Sequence, residues 1–183
     1  MLKEGKAVVE NSVRFNMEAD SLNCSILGAD AAPGTEEFDL FIKEVVREMT
    51  TKAGQKCTAI RRTIVPAGME EAVVKALRAR LEKTTIGDPA VEGVRMGPLA
   101  SKAQVRDVGA AAARIREAGE LVFGGGDYAV VGADREKGAF FGPMLMVCDA
   151  PFGRSEPHDI EAFGPVNTIM PYKSTEEAIE LAK

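Results

Sequence analysis

The chain has 183 residues with 45% hydrophobic content, which is enough for one ordinary hydrophobic core. Its net charge of -5 and its pI near 5.1 provide no basic face, so no nucleic-acid partner is expected. No apolar run approaches the roughly 20 residues of a membrane span and no signal peptide begins the sequence, so a cytoplasmic protein without a membrane partner is expected. The three cysteines are far apart and the histidine is single, which favours free thiols and no metal site.

The first half of the chain predicts strands and two helices. Apolar stretches between positions 5 and 27 are separated by polar residues, as in strands or strand ends. After Thr35 come acidic residues that suit a helix start, and apolar side chains then recur at helical spacing, at Phe38, Phe41, Ile42, Val45, Val46 and Met49. A strand is predicted over 59–65, and Pro66 separates it from a second helix over 69–83.

The second half of the chain continues the alternation. A helix is predicted over 101–118, since Gly119 is a typical residue after a helix end. Short strands are expected near Leu121, over 128–131 and over 140–148, followed by a strand over 166–170 and a helix that begins at Ser174. This order predicts an α/β layered domain with a largely parallel sheet flanked by helices.

Cys57 lies in the loop between the first long helix and the strand that follows it. The chain has no acidic residue between Glu48 and Glu70, whereas four cations lie within five positions of this thiol, namely Lys52, Lys56, Arg61 and Arg62. Nearby cations favour a reactive thiolate. The alternative is a small buried residue at a strand entrance, since free cysteine is often buried. Cys24 and Cys148 stand among apolar residues and are expected in the core.

A nucleophilic Cys57 needs a base, and two residues are candidates. His158 is the only histidine, but the residues around it read as a solvated polar loop. Glu18 follows an apolar stretch, where partial desolvation would raise its pKa and suit it to activating water. Taken alone, Glu18 is better explained as an exposed charge at a strand end.

Four short motifs, in order along the chain, resemble those of aldehyde dehydrogenases. Gly54-Gln55-Lys56-Cys57 matches the Gly-Gln-x-Cys nucleophile motif of that family, and Glu161-Ala162-Phe163-Gly164-Pro165-Val166 matches its Glu-x-Phe-Gly-Pro-Val motif. Between them lie Ile86-Gly87-Asp88-Pro89 and Met96-Gly97-Pro98-Leu99, at about the family's spacing. The resemblance extends from about position 13 to the final helix, and it implies the family's catalytic-domain fold.

Two segments indicate a distinct branch of the family. Positions 18–22 (EADSL) stand where most members have Glu-Leu-Gly-Gly-Lys, and the longer segments 17–23 (MEADSLN) and 51–62 (TKAGQKCTAIRR) are distinctive. Both are similar to the dehydrogenase half of the ring-opening enzymes of phenylacetate catabolism, and the semialdehyde dehydrogenases of benzoyl-CoA breakdown are an alternative. Such enzymes oxidise an aldehyde at the end of a coenzyme A thioester chain, with NADP preferred over NAD.

The resemblance also implies a role for each site residue. Cys57 would add to the aldehyde carbonyl, its thiohemiacetal would lose hydride to the nicotinamide, and Glu18 would be the base for the water that releases the acid. Glu161 would hydrogen-bond the nicotinamide ribose, and Phe163 would pack beside the nicotinamide. The backbone N–H of Cys57 would form part of the oxyanion hole. The nearby lysines and arginines would give electrostatic support or remain solvated charges.

The same resemblance suggests that residues 1–183 are the catalytic-domain portion of a longer, homo-oligomeric enzyme. The family's phosphate-binding turn precedes this region, and Gly124-Gly125-Gly126 does not replace it because no helix is predicted after it. Weak NADP binding by the isolated chain is therefore expected. The alternative function is a non-redox remnant with at most thiol esterase activity or a structural role.

Overall fold

The computed structural model describes residues 10–12, 14, 19 and 21–183, and within them five strands form one sheet. The strands are β1 (Cys24–Ile26), β2 (Arg62–Pro66), β3 (Glu120–Phe123), β4 (Met144–Val147) and β5 (Val166–Tyr172). Their order across the sheet is β1-β2-β5-β4-β3. All neighbours pair in parallel except β3, which is antiparallel to β4. The predicted α/β domain with a largely parallel sheet is confirmed.

In the described part of the chain, the following α-helices accompany the sheet: α1 (Glu36–Thr50), α2 (Glu70–Leu81), α3 (Lys102–Ile115), α4 (Glu156–Asp159) and α5 (Thr175–Ala182). Hydroxyl caps fix where three of them begin, because Thr35, Ser101 and Ser174 each accept a hydrogen bond from a backbone N–H of the first turn. None of the helices in the described part of the chain is long and apolar enough to cross a membrane.

Helices cover both faces of the sheet, as the alternation of side chains along the strands requires. On β2, Val65 packs into the cluster formed with α1 and α2, whereas its neighbour Ile64 packs against α5. On β5, Ile169 likewise packs into the cluster with α1 and α2, whereas Met170 packs against α5. A third cluster lies between α3 and the sheet, where Met146 and Val166 are buried. β4 is a continuous apolar run, whereas β2 and β5 also bury polar side chains, namely Arg62, Thr63, Asn167 and Thr168.

The structure corrects the sequence analysis at three strands. Residues 128–131 do not form a strand: Val131 makes only an isolated bridge opposite Gly87, in which its N–H donates to the Ile86 carbonyl and its carbonyl accepts from the Asp88 N–H. The strand predicted over 59–65 begins only at Arg62, and the one predicted over 140–148 begins only at Met144. Of the strands expected between positions 5 and 27, β1 is seen, and most of the remaining apolar stretches lie outside the described residues.

Four neighbouring parallel strands, β1, β2, β5 and β4, begin at one edge of the sheet, and the segments before three of them contain the residues of interest. Since β1, β2 and β5 are adjacent and parallel, the segments that precede them share the amino edge. These segments are 21–23 before β1, 53–61 before β2 and 161–165 before β5. The fold thus places the cysteine motif beside the Glu-x-Phe-Gly-Pro-Val motif, although the two are about a hundred residues apart in the sequence.

Candidate active site

Cys57 is exposed and occupies the second position of a β-turn. The turn is closed by a 3.2 Å hydrogen bond from the Ala59 N–H to the Lys56 carbonyl. Within the described residues, the Cys57 N–H donates to no backbone or side-chain acceptor. The Cys57 carbonyl is held from the other side by the Ser21 hydroxyl, at 2.6 Å, and by the Asn23 amide. The interpretation of Cys57 as a small buried residue is therefore wrong, and a reachable thiol beside an unused N–H stands in its place.

The turn follows a run of left-handed backbone. Lys52, Ala53 and Gly54 have φ angles of 54°, 51° and 71°, a region that residues other than glycine rarely adopt. A Cβ on Gly54 would lie 2.4 Å from the Gly164 carbonyl oxygen, so only glycine permits the two backbones to approach. Strain of this kind persists where the surrounding structure holds it in place.

The Arg61 side chain connects the two motifs. Its side chain is buried, with 5% of the residue exposed. Its guanidinium donates to the Gly164 carbonyl at 2.7 Å and to the Gly54 carbonyl at 2.8 Å, and it lies 3.4 Å from a Glu161 carboxylate oxygen. The same guanidinium carbon is 5.4 Å from the centre of the Phe163 ring. Burial lowers the pKa of Arg61, and the Glu161 carboxylate opposes that shift.

Arg62 is also buried, but it faces another part of the molecule. Its guanidinium donates to the carbonyls of Leu22, Leu181 and Ala182 at 2.8, 2.7 and 3.2 Å, which anchors the end of α5. Burial lowers the pKa of Arg62. The interpretation of Arg61 and Arg62 as solvated charges is therefore wrong, since both guanidiniums are buried among backbone carbonyls.

One of the two lysines near Cys57 also has a partner. The Lys56 ammonium forms a 2.6 Å ion pair with Glu48 on α1, whereas Lys52 is exposed. His158, the other candidate base, uses both ring nitrogens elsewhere: Nδ1 lies 3.2 Å from Arg62 and Nε2 lies 3.1 Å from the Pro151 carbonyl. The geometry therefore gives His158 no role beside Cys57.

Glu161 and Phe163 lie beside the cysteine turn, as expected from the motif. The Glu161 side chain is only 9% exposed and receives a 3.3 Å hydrogen bond from the Ser21 N–H in addition to its contact with Arg61. Phe163 is 36% exposed. Its ring borders a shallow cavity of about 640 Å³ whose other lining residues include Lys52, Gln55, Pro98, Ser101 and Gln104. The Phe163 ring thus offers an exposed flat face to this cavity, whereas Glu161 lines a different cavity.

Gln55 is a site residue whose contacts the sequence analysis missed. Its amide nitrogen donates at 3.0 Å both to the Phe163 carbonyl and to Gln104 on α3, and its amide oxygen accepts from the Ala100 N–H at 2.8 Å. One side chain thus ties three segments together two positions before the thiol. The glutamine of the Gly-Gln-x-Cys pattern was the only signal for this role.

Of the other residues named in the sequence analysis, the structure describes Cys24 and Cys148 but not Glu18. Glu18 lies outside the described residues. Cys148 is fully buried, and burial raises the pKa of its thiol, whereas Cys24 on the edge strand β1 is half-buried rather than in the core. Across the described part of the chain, no group of three or more His, Cys, Asp or Glu side chains could hold a metal ion.

Comparisons with known protein sequences identify relatives of the chain. A sequence profile described as the aldehyde dehydrogenase family matches residues 4–183. A 3,4-dehydroadipyl-CoA semialdehyde dehydrogenase of Aromatoleum evansii is 50% identical over 177 residues, which cover 96% of this chain and 34% of that protein. An alpha-ketoglutaric semialdehyde dehydrogenase of Bacillus subtilis is 29% identical over 97% of the chain. The chain spans about a third of the length of these relatives.

Solved structures share the fold. A betaine aldehyde dehydrogenase from Staphylococcus aureus, in complex with NAD+ and with one cysteine modified by BME, is 26% identical and superposes with a TM-score of 0.79 over 99% of this chain and 36% of that one. An aldehyde dehydrogenase from Pseudomonas syringae, a cysteine-to-alanine mutant in complex with NAD+ and octanal, gives a TM-score of 0.76 at 26% identity over 97% of this chain and 35% of that one. Motifs, fold and comparisons agree, and the chain belongs to the aldehyde dehydrogenase family.

Proposed function

We propose that the chain carries the thiol chemistry of an NAD(P)-dependent aldehyde dehydrogenase that acts on a coenzyme A-linked semialdehyde. The observation that carries this proposal is the environment of Cys57: an exposed thiol in a fixed turn, with its own N–H unused among the described residues and with Phe163 and Glu161 in the neighbouring motif. The family membership of the chain supports the same reaction.

The described residues supply the nucleophile and one oxyanion donor for this reaction. The Cys57 thiolate adds to the aldehyde carbon, and the carbonyl oxygen becomes an oxyanion that the Cys57 N–H stabilises. Loss of hydride from the same carbon then leaves a thioester on sulfur. Attack of water on the thioester breaks the carbon–sulfur bond and releases the carboxylic acid with the free thiol.

The nicotinamide cofactor, when bound, accepts the hydride. The exposed ring of Phe163 offers a surface for the nicotinamide, and Glu161 offers a carboxylate for the ribose hydroxyls. Because Arg61 and Ser21 already contact this carboxylate, ribose binding would add to or exchange one of these contacts. The NAD+ complexes of the structural neighbours support a nicotinamide cofactor. NADP is the acceptor proposed from the branch resemblance.

Glu18 is proposed as the base that activates the deacylating water. Ser21 and Asn23, three and five positions later in the sequence, both donate to the Cys57 carbonyl. These contacts support the proposal because they bring the strand-entry segment of β1 to the nucleophile.

The substrate class is proposed from the relative in Aromatoleum evansii. That protein is named for a coenzyme A-linked semialdehyde, and it shares half of its aligned residues with this chain. A free short-chain aldehyde is the competing substrate class. The ratio of kcat/KM for the two classes decides between them.

The test of the proposed function places the chain in a full-length relative, because the chain spans 34% of that relative's length. In a chimera, this chain replaces the matching segment of the Aromatoleum evansii enzyme. Aldehyde-dependent reduction of NADP or NAD is expected, and Cys57→Ala should lower it by about 10³-fold or more. Cys24→Ala is the control and should retain activity. A Cys57→Ala chimera with normal turnover would remove the proposed nucleophile.

A further inference from the structure

The two peptide groups that flank Cys57 are held from opposite sides. The carbonyl after it is fixed by Ser21 and Asn23, as described above. The carbonyl before it, that of Lys56, accepts from the Ala59 N–H at 3.2 Å and lies 3.5 Å from Arg61 Nη2. Since a trans peptide points its N–H opposite to its C=O, these contacts direct the Cys57 N–H away from the guanidinium.

Arg61 holds more of the turn than this one carbonyl. Its shortest hydrogen bond on this side is to the Gly54 carbonyl, just before the turn, at 2.8 Å. The same oxygen accepts from the Lys56 N–H at 3.0 Å. Its other branch holds Gly164 at 2.7 Å. A planar guanidinium can make these bonds at once because its donors form a rigid fork, which an ammonium cannot reproduce.

The burial of Arg61 is costly for a residue that only stabilises the fold. Within the described residues its Nε has no hydrogen-bond partner although it is buried. Its single ion pair, with Glu161, is a 3.4 Å contact to one oxygen rather than a two-bond fork. Buried charges with incomplete pairing contribute little net stability, and apolar residues of similar volume often replace them well. A role in the site accounts for such an arrangement better than a role in stability.

We infer that Arg61 is a positioning residue that fixes the Lys56–Cys57 peptide, so that the Cys57 N–H faces the oxyanion formed on the Cys57 adduct. This inference rests on the proposed function, in which Cys57 is the nucleophile. Arg61 touches neither the substrate nor the reacting atoms. It acts through the backbone of Gly54 and Lys56, and through Gly164 it keeps that backbone in register with the motif of Glu161 and Phe163.

Two reactions of the same thiol separate positioning from stability. With p-nitrophenyl acetate, the Cys57 thiolate attacks the ester carbonyl, a carbon–sulfur bond forms through a tetrahedral oxyanion, and the aryl C–O bond breaks to release p-nitrophenolate. With iodoacetamide, sulfur displaces iodide from a saturated carbon and no oxyanion forms. Only the first reaction uses the N–H donor. The ratio of the acylation rate to the alkylation rate therefore depends on the orientation of the Cys57 N–H and not on the exposure of the thiol.

The experiment measures both rates at Cys57 in the purified chain, with mass spectrometry to assign each adduct. Arg61→Met should slow acylation by about tenfold or more, since a single lost oxyanion donor lowers catalysis by about 10²- to 10³-fold. Alkylation should change by less than about twofold, because no donor is involved. Arg61→Lys keeps the charge without the fork and should give an intermediate ratio. Arg62→Met is the comparison variant, because it removes another buried arginine that bonds Leu22 and the end of α5 but no atom of the Cys57 turn, and it should change the ratio less than Arg61→Met does.

Each outcome bears on a separate statement. If the unmodified chain does not acetylate Cys57 at all, the nucleophile of the proposed function is wrong. If it does and the Arg61→Met ratio equals the unmodified ratio, the positioning role is wrong while the proposed function stands. Buried Cys148 reports folding in the same samples, since its labelling signals an unfolded variant. If Arg61→Met is unfolded, Arg61→Lys decides, and an unchanged ratio in that variant would overturn the inference.

Discussion

The three cysteines show how strongly local structure separates identical side chains. Cys57 is exposed in a turn, Cys24 is half-buried on an edge strand, and Cys148 is fully buried beyond the end of β4. The charge pattern of the sequence indicated a reachable thiol at Cys57, but it did not show that Lys56, Arg61 and Arg62 have other partners. The position of the thiol in the turn, rather than nearby free cations, distinguishes Cys57.

Limited alkylation should modify Cys57 first, Cys24 later and Cys148 last. Burial excludes the reagent from Cys148, and the raised pKa of its thiol disfavours the reactive thiolate. As the pH is raised, labelling of Cys148 should therefore stay slow to a higher pH than the ordinary thiol pKa of about 8.5 would allow. Peptide mapping after short exposures to iodoacetamide measures the order. Earlier labelling of Cys148 in folded protein would contradict it.

Glu18→Gln tests the proposed division of labour between the base and the nucleophile. In the chimera, the first turnover should still release reduced cofactor, because Cys57 remains. Steady-state turnover should fall by about 10²- to 10⁴-fold, the usual worth of general-base assistance, because water attacks the thioester more slowly. Rapid-quench sampling with mass spectrometry should show the acyl group accumulating on Cys57. Unimpaired steady-state turnover would exclude Glu18 from the mechanism.

At the scale of elements, the starts of helices could be predicted from their capping residues. Strands were harder to predict, because a strand forms only where it can pair with another. Thr35, Ser101 and Ser174 marked three helix starts because a hydroxyl acceptor is a local feature. Residues 128–131 have the composition of a strand, but pairing depends on which backbone lies beside them, and that is not local. The left-handed run from Lys52 to Gly54 was also missed, since two of its three residues are not glycine.

Gly54→Ala should disrupt the segment that carries the proposed nucleophile. The new methyl group would clash with the Gly164 carbonyl, and the alanine backbone would have to keep a positive φ. Together these effects should lower the free energy of unfolding by about 2–5 kcal/mol. Gly68→Ala is the matched control, because its φ of 92° carries the backbone cost of about 1–2 kcal/mol while nothing lies within 4 Å of its added methyl group. Urea unfolding of both variants measures the difference. Equal losses of stability would show that the two motifs do not need this close approach.

For the whole molecule, the decisive feature is the strand order, which the sequence does not reveal. Motifs at 54–57 and 161–166 become neighbours because β5 inserts next to β2, although β3 and β4 come between them in the chain. The α/β class could be predicted from the alternation of helices and strands. The contacts of Ser21, Gln55 and Arg61 could not, because each joins segments that only this strand order brings together.

Hydrogen exchange should reflect this strand order. β5 has seven residues and a paired neighbour on each side, whereas β1 and β3 are short strands at the two edges. The amides of β5 and β2 should therefore exchange last, and those of β1 and β3 first. Exchange followed by mass spectrometry of peptides measures these rates. Slowest exchange in β3 would contradict the described sheet.

The proposed chemistry uses the amino edge of the parallel strands, and this leaves the opposite edge available for engineering. The turn after β2 lies at the carboxyl edge, where Gly68 faces open space between Pro66 and the start of α2. A tag or surface anchor inserted there would be a full strand length from Cys57, about 17 Å for a strand of five residues. Immobilised through this turn, the protein would present its thiol to solution, so reagents could be exchanged over a single tethered sample.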